Sequence, residues 1–307
     1  MSHWFKEAGW GVFFHYLGSE GMSAEAWNER VDSFDTLLFA QQLAQINPGY
    51  CFFTIGQNSG HYCAPNETYD EIVGIVPSKC SKRDLIADLA AALAPVGIPL
   101  LVYLPSGAPT LDQRAQEKLE WEWGSQTPWP DSRGPRKGKR LASFQRKWEA
   151  IIREWSLRWG EQVKGWWFDG CYFAEDMYQY PDPPNFESFA QAAKAGNPGS
   201  IVAFNPGVRV PVTSLTEYED YTAGEISTVF PVARGPIPEK VQYHILTYLG
   251  ATWGGGKPRF CTEFVVGYTK QVIGQGGTIS WDVPIGPTGE IPGEFLEQLG
   301  ALASLRE

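Results

Sequence analysis

Short β-rich runs alternate with helical runs along most of this chain, and this alternation constrains the fold more than any other feature. Residues 11–16 and 50–55 have the composition of buried strands, and residues 35–46 between them place apolar side chains at helical spacing after an acidic start. Alternation of this kind favours a parallel sheet covered by helices. About eight such units favour a closed (β/α)₈ barrel, a TIM-like fold of the α/β class, with one domain over residues 1–307.

The remaining predicted elements continue the same order. Further strands are predicted at 98–104, 164–168, 201–204, 221–223 and 278–281. Further helices are predicted at 82–96, 144–159, 186–195, 239–249 and 293–305. No Ser/Gly tract, charge block or repeat marks a linker. In barrels of this kind the catalytic side chains come from the carboxyl ends of the strands, so functional residues are expected there.

The charge balance restricts the classes of partner. Lys and Arg number 25, Asp and Glu number 35, and the formal net charge is −10. Nucleic acids and anionic membranes attract basic surfaces, so neither is expected as a partner. No apolar run is long enough to cross a bilayer, and the first six residues lack the apolar region of a signal peptide. The sequence as written predicts a cytoplasmic protein, or a secreted or periplasmic one if a leader has been removed. It leaves the oligomeric state open.

The cysteine and histidine content offers little for a metal site or a disulfide framework. The five cysteines are scattered without a Cys-x-x-Cys pair, and the four histidines are dispersed. The 13 tryptophans are unusually many for this length. An indole can stack on the apolar face of a sugar ring, but it can equally pack inside a large barrel.

The strongest local signal for chemistry is the sequence Gly-Trp-Trp-Phe-Asp-Gly at residues 165–170. An apolar strand ends there abruptly in the carboxylate of Asp169, and Gly170 allows the backbone to turn. Asp-Gly is also a common turn. The local pattern alone therefore leaves Asp169 either as a functional carboxylate at a strand end or as part of an ordinary turn.

This motif is similar to the Trp-Phe-Asp-Gly on the fourth strand of glycoside hydrolase family 29, the α-L-fucosidases, whose Asp is the nucleophile. Five other segments resemble family motifs in the same order along the chain: 10–15, 24–27, 82–85, 276–282 and 286–292. The resemblance covers nearly the whole chain. It implies a barrel in which Asp169 is the nucleophile, and the chain has no room for the carboxy-terminal β-sandwich common in the family.

A retaining glycosidase also needs a carboxyl group that protonates the leaving oxygen. The resemblance places this acid/base at Glu225, because residues 220–225 are similar to the family segment that ends in its acid/base Glu. Glu219 is the runner-up. Glu217 and Glu219 could also lie in a solvated loop.

The end of the second strand departs from the family pattern. The family has Lys-His-His-Asp-Gly-Phe, whose histidines bind fucose hydroxyls, whereas residues 54–61 here read Thr-Ile-Gly-Gln-Asn-Ser-Gly-His. Gln57 and Asn58 occupy the position of the two histidines and can each donate and accept hydrogen bonds. They are interpreted, with His61, as substrate-binding residues. Without the resemblance, Gln57 and Asn58 would be a turn after a strand.

Four further residues are predicted to bind substrate. His15 ends the first strand and matches a family His, and Trp27 could stack on the sugar or pack in the core. Arg209 lies near the position where the family has Asn-x-Arg, although the spacing differs. Trp253 precedes three glycines in a loop that could wall the pocket.

These features predict a retaining exo-α-L-glycosidase that acts on terminal fucosyl or closely related residues of glycans or glycosides, without a cofactor or a metal. One alternative is a carbohydrate-binding barrel that has lost catalysis, which the altered pair Gln57 and Asn58 suggests. Another is a metallohydrolase that uses His15, His61 and acidic residues, which the low histidine content disfavours.

Overall fold

Seven strands form the centre of the molecule in the computed structural model, which describes residues 3–122, 140–172, 174–232 and 241–306. The strands are β1 (Trp10–Phe14), β2 (Cys51–Thr54), β3 (Leu100–Pro105), β4 (Val163–Asp169), β5 (Ile201–Phe204), β6 (His244–Tyr248) and β7 (Thr278–Asp282). They form one sheet in the order β5-β4-β3-β2-β1-β7-β6, and all six pairings are parallel.

Helices fill most of the connections between the strands. They are α1 (His3–Ala8), α2 (Ala24–Asp32), α3 (Thr36–Ile46), α4 (Glu67–Val73), α5 (Leu85–Leu93), α6 (Gln113–Leu119), α7 (Ala142–Trp159), α8 (Ala174–Met177), α9 (Phe186–Ala193), α10 (Thr262–Gly274) and α11 (Gly293–Gly300). Short 3₁₀ turns occur at Ala94–Val96, Gly160–Gln162 and Ala303–Arg306. The α/β class is therefore confirmed. No helix in the described ranges is long and apolar enough to span a membrane.

The predicted closed eight-stranded barrel is wrong, because the sheet is a curled half-barrel of seven strands with β5 and β6 at its two edges. The predicted sixth strand, 221–223, lies beside β6 but makes only isolated parallel bridges, at Tyr221 and Glu225. Gly224 has φ +67°, outside strand geometry, and a Cβ there would lie 1.9 Å from the carbonyl oxygen of His244. Thr222 pairs with His244 partly through its hydroxyl group rather than its backbone. These two features prevent a regular strand.

The helix predicted at 239–249 is also wrong. Residues 239–240 lie outside the described residues, and His244–Tyr248 form strand β6, paired in register with β7 from Thr278 to Asp282. The apolar residues of this segment fit both a helical and a strand pattern. Pairing with β7 favours the strand, and this long-range contact is not visible in the local sequence.

Side chains on the two faces of the sheet pack into two separate clusters. On β4, Trp167 belongs to the inner cluster, whereas Trp166 and Phe168 belong to the outer cluster that includes the helices. This division follows from the alternation of side chains along a strand. Phe5 of α1 packs in the inner cluster, with its ring 4.7 Å from that of Tyr50.

Candidate active site

The carboxyl ends of the strands surround a cavity of about 300 Å³. Its lining residues come from β1, β3, β4 and β6 and from the loops that follow strands: Phe13, His15, Leu17, Gln57, Tyr103, Trp167, Asp169, Glu225, Leu246 and Trp253. Five of the predicted site residues are among them, namely Asp169, Glu225, His15, Gln57 and Trp253. The volume is near the lower end of the range of roughly 300–1,000 Å³ that is usual for small-ligand sites.

Asp169 is the last residue of β4, and its carboxylate accepts two hydrogen bonds from neutral side chains. Tyr103 donates its hydroxyl hydrogen to Oδ2 over 2.8 Å, and Asn205 donates from Nδ2 to Oδ1 over 2.9 Å. Gly170 follows with φ +84°, so the chain turns immediately after the carboxylate. These bonds fix the orientation of Asp169 and replace hydrogen bonds that the carboxyl group would make to water outside the cavity.

Asn205 connects Asp169 to Glu225. Its Nδ2 also donates to Glu225 Oε2 over 2.6 Å, so one buried amide nitrogen contacts both carboxylates. Because each oxygen is that close to the same nitrogen, the two oxygens are separated by at most the sum of the two distances, about 5.5 Å. The Asn205 carbonyl Oδ1 accepts from the backbone N–H of Gly207, so the amide is held at both ends.

The backbone also fixes Asn205 beside Asp169. Its N–H donates to the carbonyl of Phe168 over 2.7 Å, and its own carbonyl accepts from the N–H of Cys171 over 2.8 Å. Asn205 therefore continues the pairing of β5 with β4 on either side of Asp169. Neither Asn205 nor Tyr103 was predicted as a site residue. Strand alternation, which puts Tyr103 on the same inner face as Leu101, was the available signal.

Two hydrogen bonds of the Tyr103 hydroxyl connect Asp169 to Gln57, which lies in the loop after β2. Gln57 Nε2 donates to the Tyr103 hydroxyl oxygen over 2.5 Å. Burial and the negative charge of Asp169 raise the pKa of Tyr103 well above its usual value, so the phenol keeps its hydrogen. The ring stacks on Trp167 with centroids 5.5 Å apart. Gln57 thus lines the cavity and is also connected to Asp169 through Tyr103.

Glu225 and Glu219 have different surroundings. Glu225 lines the cavity and forms a bridge with Leu246 of β6. Glu219 is buried and does not line this cavity. Its carboxylate accepts hydrogen bonds from the backbone N–H groups of Phe204, Leu215 and Thr216. Burial raises the pKa of Glu219 to about 7. Glu219 thus organises the chain around the end of β5, and the geometry places Glu225 at the site.

His15 is held by a buried aspartate. Its Nδ1 lies 2.7 Å from Asp282 Oδ1, and Asp282 Oδ2 accepts from the backbone N–H of Gly254 over 2.6 Å. A carboxylate at Nδ1 favours a hydrogen on that nitrogen, which leaves Nε2 for a ligand. The Trp253 ring lies 5.9 Å from the His15 ring and 4.7 Å from that of Tyr248. The Asp282 carboxylate therefore holds both the His15 imidazole and the loop that carries Trp253.

Four other predicted binding residues lie outside this cavity. Asn58 lines a second, adjoining cavity. Trp27 is buried and donates from Nε1 to the carbonyl of Tyr62. It therefore packs in the core, which was the alternative to stacking on a sugar. His61 is buried beside Trp27, and burial lowers its pKa to about 4. Arg209 is exposed and lines neither cavity.

Within the described ranges, no three His, Cys, Asp or Glu side chains are grouped as metal ligands.

Comparison with solved structures gives the same fold at low sequence identity. The endo-fucoidan hydrolase MfFcnA4 of glycoside hydrolase family 107 superposes with a TM-score of 0.75 at 18% identity, over 99% of this chain and 53% of that one. The endo-fucoidan hydrolase P5AFcnA of the same family gives 0.69 at 15% identity, over 98% and 93%. A family 29 α-L-fucosidase from Bacteroides thetaiotaomicron gives 0.64 at 14% identity, over 98% and 72%.

The chain shares the fold of family 107 and family 29 glycoside hydrolases. It spans about half the length of MfFcnA4 and 63% of the related MfFcnA9. No family model matches the sequence. No curated protein matches it either. The predicted resemblance to family 29 is thus confirmed for the fold alone. Family 107 enzymes have the same fold, so these neighbours do not single out family 29.

Proposed function

We propose that this chain is a retaining glycoside hydrolase that cleaves α-L-fucosyl or closely related α-L-glycosyl bonds, with Asp169 as nucleophile and Glu225 as acid/base. The observation that carries this proposal is the Asn205 amide between the two carboxylates. Retaining enzymes hold their carboxyl groups roughly 5–5.5 Å apart, whereas inverting enzymes hold them roughly 6.5–9.5 Å apart to admit a water molecule. The upper limit of about 5.5 Å between Asp169 Oδ1 and Glu225 Oε2 fits the retaining class.

The reaction takes two displacements. In the first, a carboxylate oxygen of Asp169 attacks the anomeric carbon while Glu225 gives its proton to the leaving oxygen, so the C–O bond to the aglycone breaks and a glycosyl ester forms. In the second, Glu225 removes a proton from water, the water oxygen attacks the same carbon, and the ester breaks to regenerate the Asp169 carboxylate. Two inversions give net retention.

The neighbours of Asp169 support this role. Attack requires one carboxylate oxygen to point at the anomeric carbon, and Tyr103 and Asn205 restrain the group through both oxygens. Neutral donors suit a group that is charged before attack and uncharged as an ester, because they bind either state without adding charge. Asn205 is a positioning residue in this scheme, and it keeps the acid/base within reach of the same bond.

The walls of the cavity support a deoxy sugar as substrate. Phe13, Trp167 and Trp253 provide apolar surface, while Gln57 and His15 provide hydrogen-bonding groups for hydroxyls. A 6-deoxyhexose such as fucose presents a methyl group as well as hydroxyls, so it matches such a mixed surface. The structural neighbours named as fucosidases and fucoidan hydrolases support the same sugar class.

The test is turnover of an aryl α-L-fucoside by wild type, Asp169→Gly and the control Asp32→Ala, whose side chain is exposed and distant in sequence. We expect Asp169→Gly to lose turnover by about four orders of magnitude or more, as for loss of a catalytic nucleophile, and azide to restore part of it as a glycosyl azide. Asp32→Ala should match wild type. Full turnover by Asp169→Gly would exclude the proposed nucleophile. Sugar binding by wild type without product would favour the non-catalytic alternative.

A further inference from the structure

Asp282 is held at the carboxyl end of β7 by strands on both sides. It pairs in register with Phe13 of β1 and with Tyr248 of β6. Its carbonyl accepts from the N–H of Leu249 over 2.8 Å, and its side chain is fully buried. The carboxylate therefore has little freedom to move, and a group that is bonded to it is held in place with it.

Both oxygens of this carboxylate are used. Oδ1 lies 2.7 Å from His15 Nδ1, and Oδ2 accepts from the backbone N–H of Gly254 over 2.6 Å. An ionised carboxylate can only accept, so the hydrogen between the two side chains lies on Nδ1. A neutral imidazole carries one such hydrogen in total, so Nε2 of His15 has a lone pair and no hydrogen.

His15 lines the first cavity, and aromatic neighbours hold its ring there. Its centroid lies 4.8 Å from that of Phe13 and 5.7 Å from that of Tyr103. Because Nδ1 is bonded to Asp282, Nε2 is the ring nitrogen left to bond a molecule in the cavity. A lone pair needs a donor. A free sugar hydroxyl can donate, whereas an ether, an ester or a fluorine at the same carbon has no hydrogen to give.

We propose that Asp282 is a positioning residue that fixes the Nδ1–H tautomer of His15 and thereby sets a specificity rule. In this tautomer His15 accepts a hydrogen bond from one hydroxyl of the sugar in the cavity, and it discriminates against a sugar on which that hydroxyl is substituted. The identity of the ligand rests on the proposed function. The tautomer does not, so the two can be tested separately.

Asp282→Asn should reverse the tautomer while keeping the shape of the side chain. A carboxamide has one accepting oxygen and one donating nitrogen. The Gly254 N–H can only donate, so it takes the oxygen, and the new Nδ2 then faces His15 Nδ1 as a donor. The imidazole hydrogen moves to Nε2, as happens when a carboxamide replaces the carboxylate partner of a histidine. His15 then donates into the cavity where it previously accepted.

The tautomer is measured by ¹⁵N NMR of the histidine rings at pH 8.5, with His15→Gln to assign the His15 signals. We expect a protonated Nδ1 and an unprotonated Nε2 in wild type and in the control Asp32→Asn, whose side chain is exposed. Asp282→Asn should show the opposite pattern. A hydrogen on Nε2 of His15 in wild type would overturn the inference, whether or not Asp282→Asn folds.

The specificity rule is measured with an aryl α-L-fucoside and its 2-, 3- and 4-deoxyfluoro analogues. The readout is the factor by which kcat/KM falls when each hydroxyl is replaced by fluorine. The electronic effect of fluorine is the same in every variant, so comparison between variants isolates the contact with His15. At one position this factor should be about tenfold smaller in Asp282→Asn than in wild type, of the order that one hydrogen bond contributes. Asp32→Asn should match wild type.

Equal factors at all three positions in wild type and Asp282→Asn would overturn the specificity rule. The proposed function would still stand, provided that wild type hydrolyses the parent fucoside. No hydrolysis of the parent fucoside by wild type would overturn the proposed function and the sugar as ligand. The NMR pattern alone would then decide whether Asp282 fixes the tautomer.

Discussion

The Nδ2 atom of Asn205 lies 2.6 Å from Glu225 Oε2, and the Asn205 side chain is buried. The same nitrogen lies 2.9 Å from Asp169 Oδ1. One neutral donor therefore fixes the distance and the orientation of the two carboxyl groups relative to each other.

Asn205→Ala should lower kcat on an aryl α-L-fucoside by about 10²–10³-fold, the range seen when a preorganised donor at a reaction centre is lost. Both carboxyl groups lose the donor that orients them, so kcat should fall with little change in KM. The measurement is kcat and KM for wild type, Asn205→Ala and the exposed-amide control Gln191→Ala. A wild-type kcat in Asn205→Ala would show that Asn205 does not position the two groups.

Tyr103→Phe should lower kcat by about 10–100-fold, because a hydrogen bond to a charged group contributes about 1.5–3 kcal/mol. The fold should persist, since the ring can still stack on Trp167. Single-turnover rates and thermal unfolding would separate the two effects, with the exposed Tyr218→Phe as control. Wild-type rates in Tyr103→Phe would mean that its contact with Asp169 is catalytically unimportant.

Gln57→Ala should lower kcat/KM by about one to two decades. The substitution removes a group that lines the cavity and leaves the Tyr103 hydroxyl oxygen without its donor. A buried polar group left without its partner costs about 1–3 kcal/mol. A carboxamide does not titrate, so both limbs of the pH profile should stay in place. The pH dependence of kcat/KM for this variant and for wild type checks both statements. Unchanged kcat/KM would limit Gln57 to a structural role.

Glu219 should make the folded state less stable as the pH rises. Its pKa is about 7 in the folded protein, against 4.5 for an ordinary Glu side chain, so between these pH values the folded state binds a proton that the unfolded state lacks. The free energy of unfolding should therefore fall with rising pH across this window, by roughly 1–3 kcal/mol from this group. Glu219→Gln should remove this contribution, whereas the exposed neighbour Glu217→Gln should keep it.

Urea unfolding of these variants at pH 5 and pH 8 measures that difference. The expected result is a smaller loss of stability between the two pH values in Glu219→Gln than in wild type and Glu217→Gln. An equal pH dependence in all three proteins would contradict the raised pKa.

The sequence predicted the elements whose signals are local. Asp169 was predicted because an apolar strand ends in Asp-Gly, and it lines the cavity. The predicted strands near β1 to β5 and β7 each overlap the observed ones. Strand β6 was predicted as a helix because its pairing with β7 is a long-range contact. The sixth barrel strand was predicted from Tyr221 to Ala223, but the positive φ of Gly224 and the Thr222 side chain reduce it to isolated bridges.

The residues missed at the site act through tertiary contacts. Tyr103 and Asn205 lie on different strand ends from Asp169, and only the parallel register of β3, β4 and β5 brings them together. Asp282 was part of a recognised segment, yet its pairing with His15 depends on β7 lying beside β1. Trp27 and His61 were assigned by position in the chain, and the fold places both in the interior.

Covalent trapping tests the central claim most directly. Incubation with 2-deoxy-2-fluoro-α-L-fucosyl fluoride should slow the second displacement and accumulate the glycosyl ester, which mass spectrometry of a proteolytic digest locates. The account predicts one added fluorofucosyl group on the peptide that contains Asp169, and none in Asp169→Gly. A label on another carboxylate, or steady turnover with an inverted first product and no label, would contradict it.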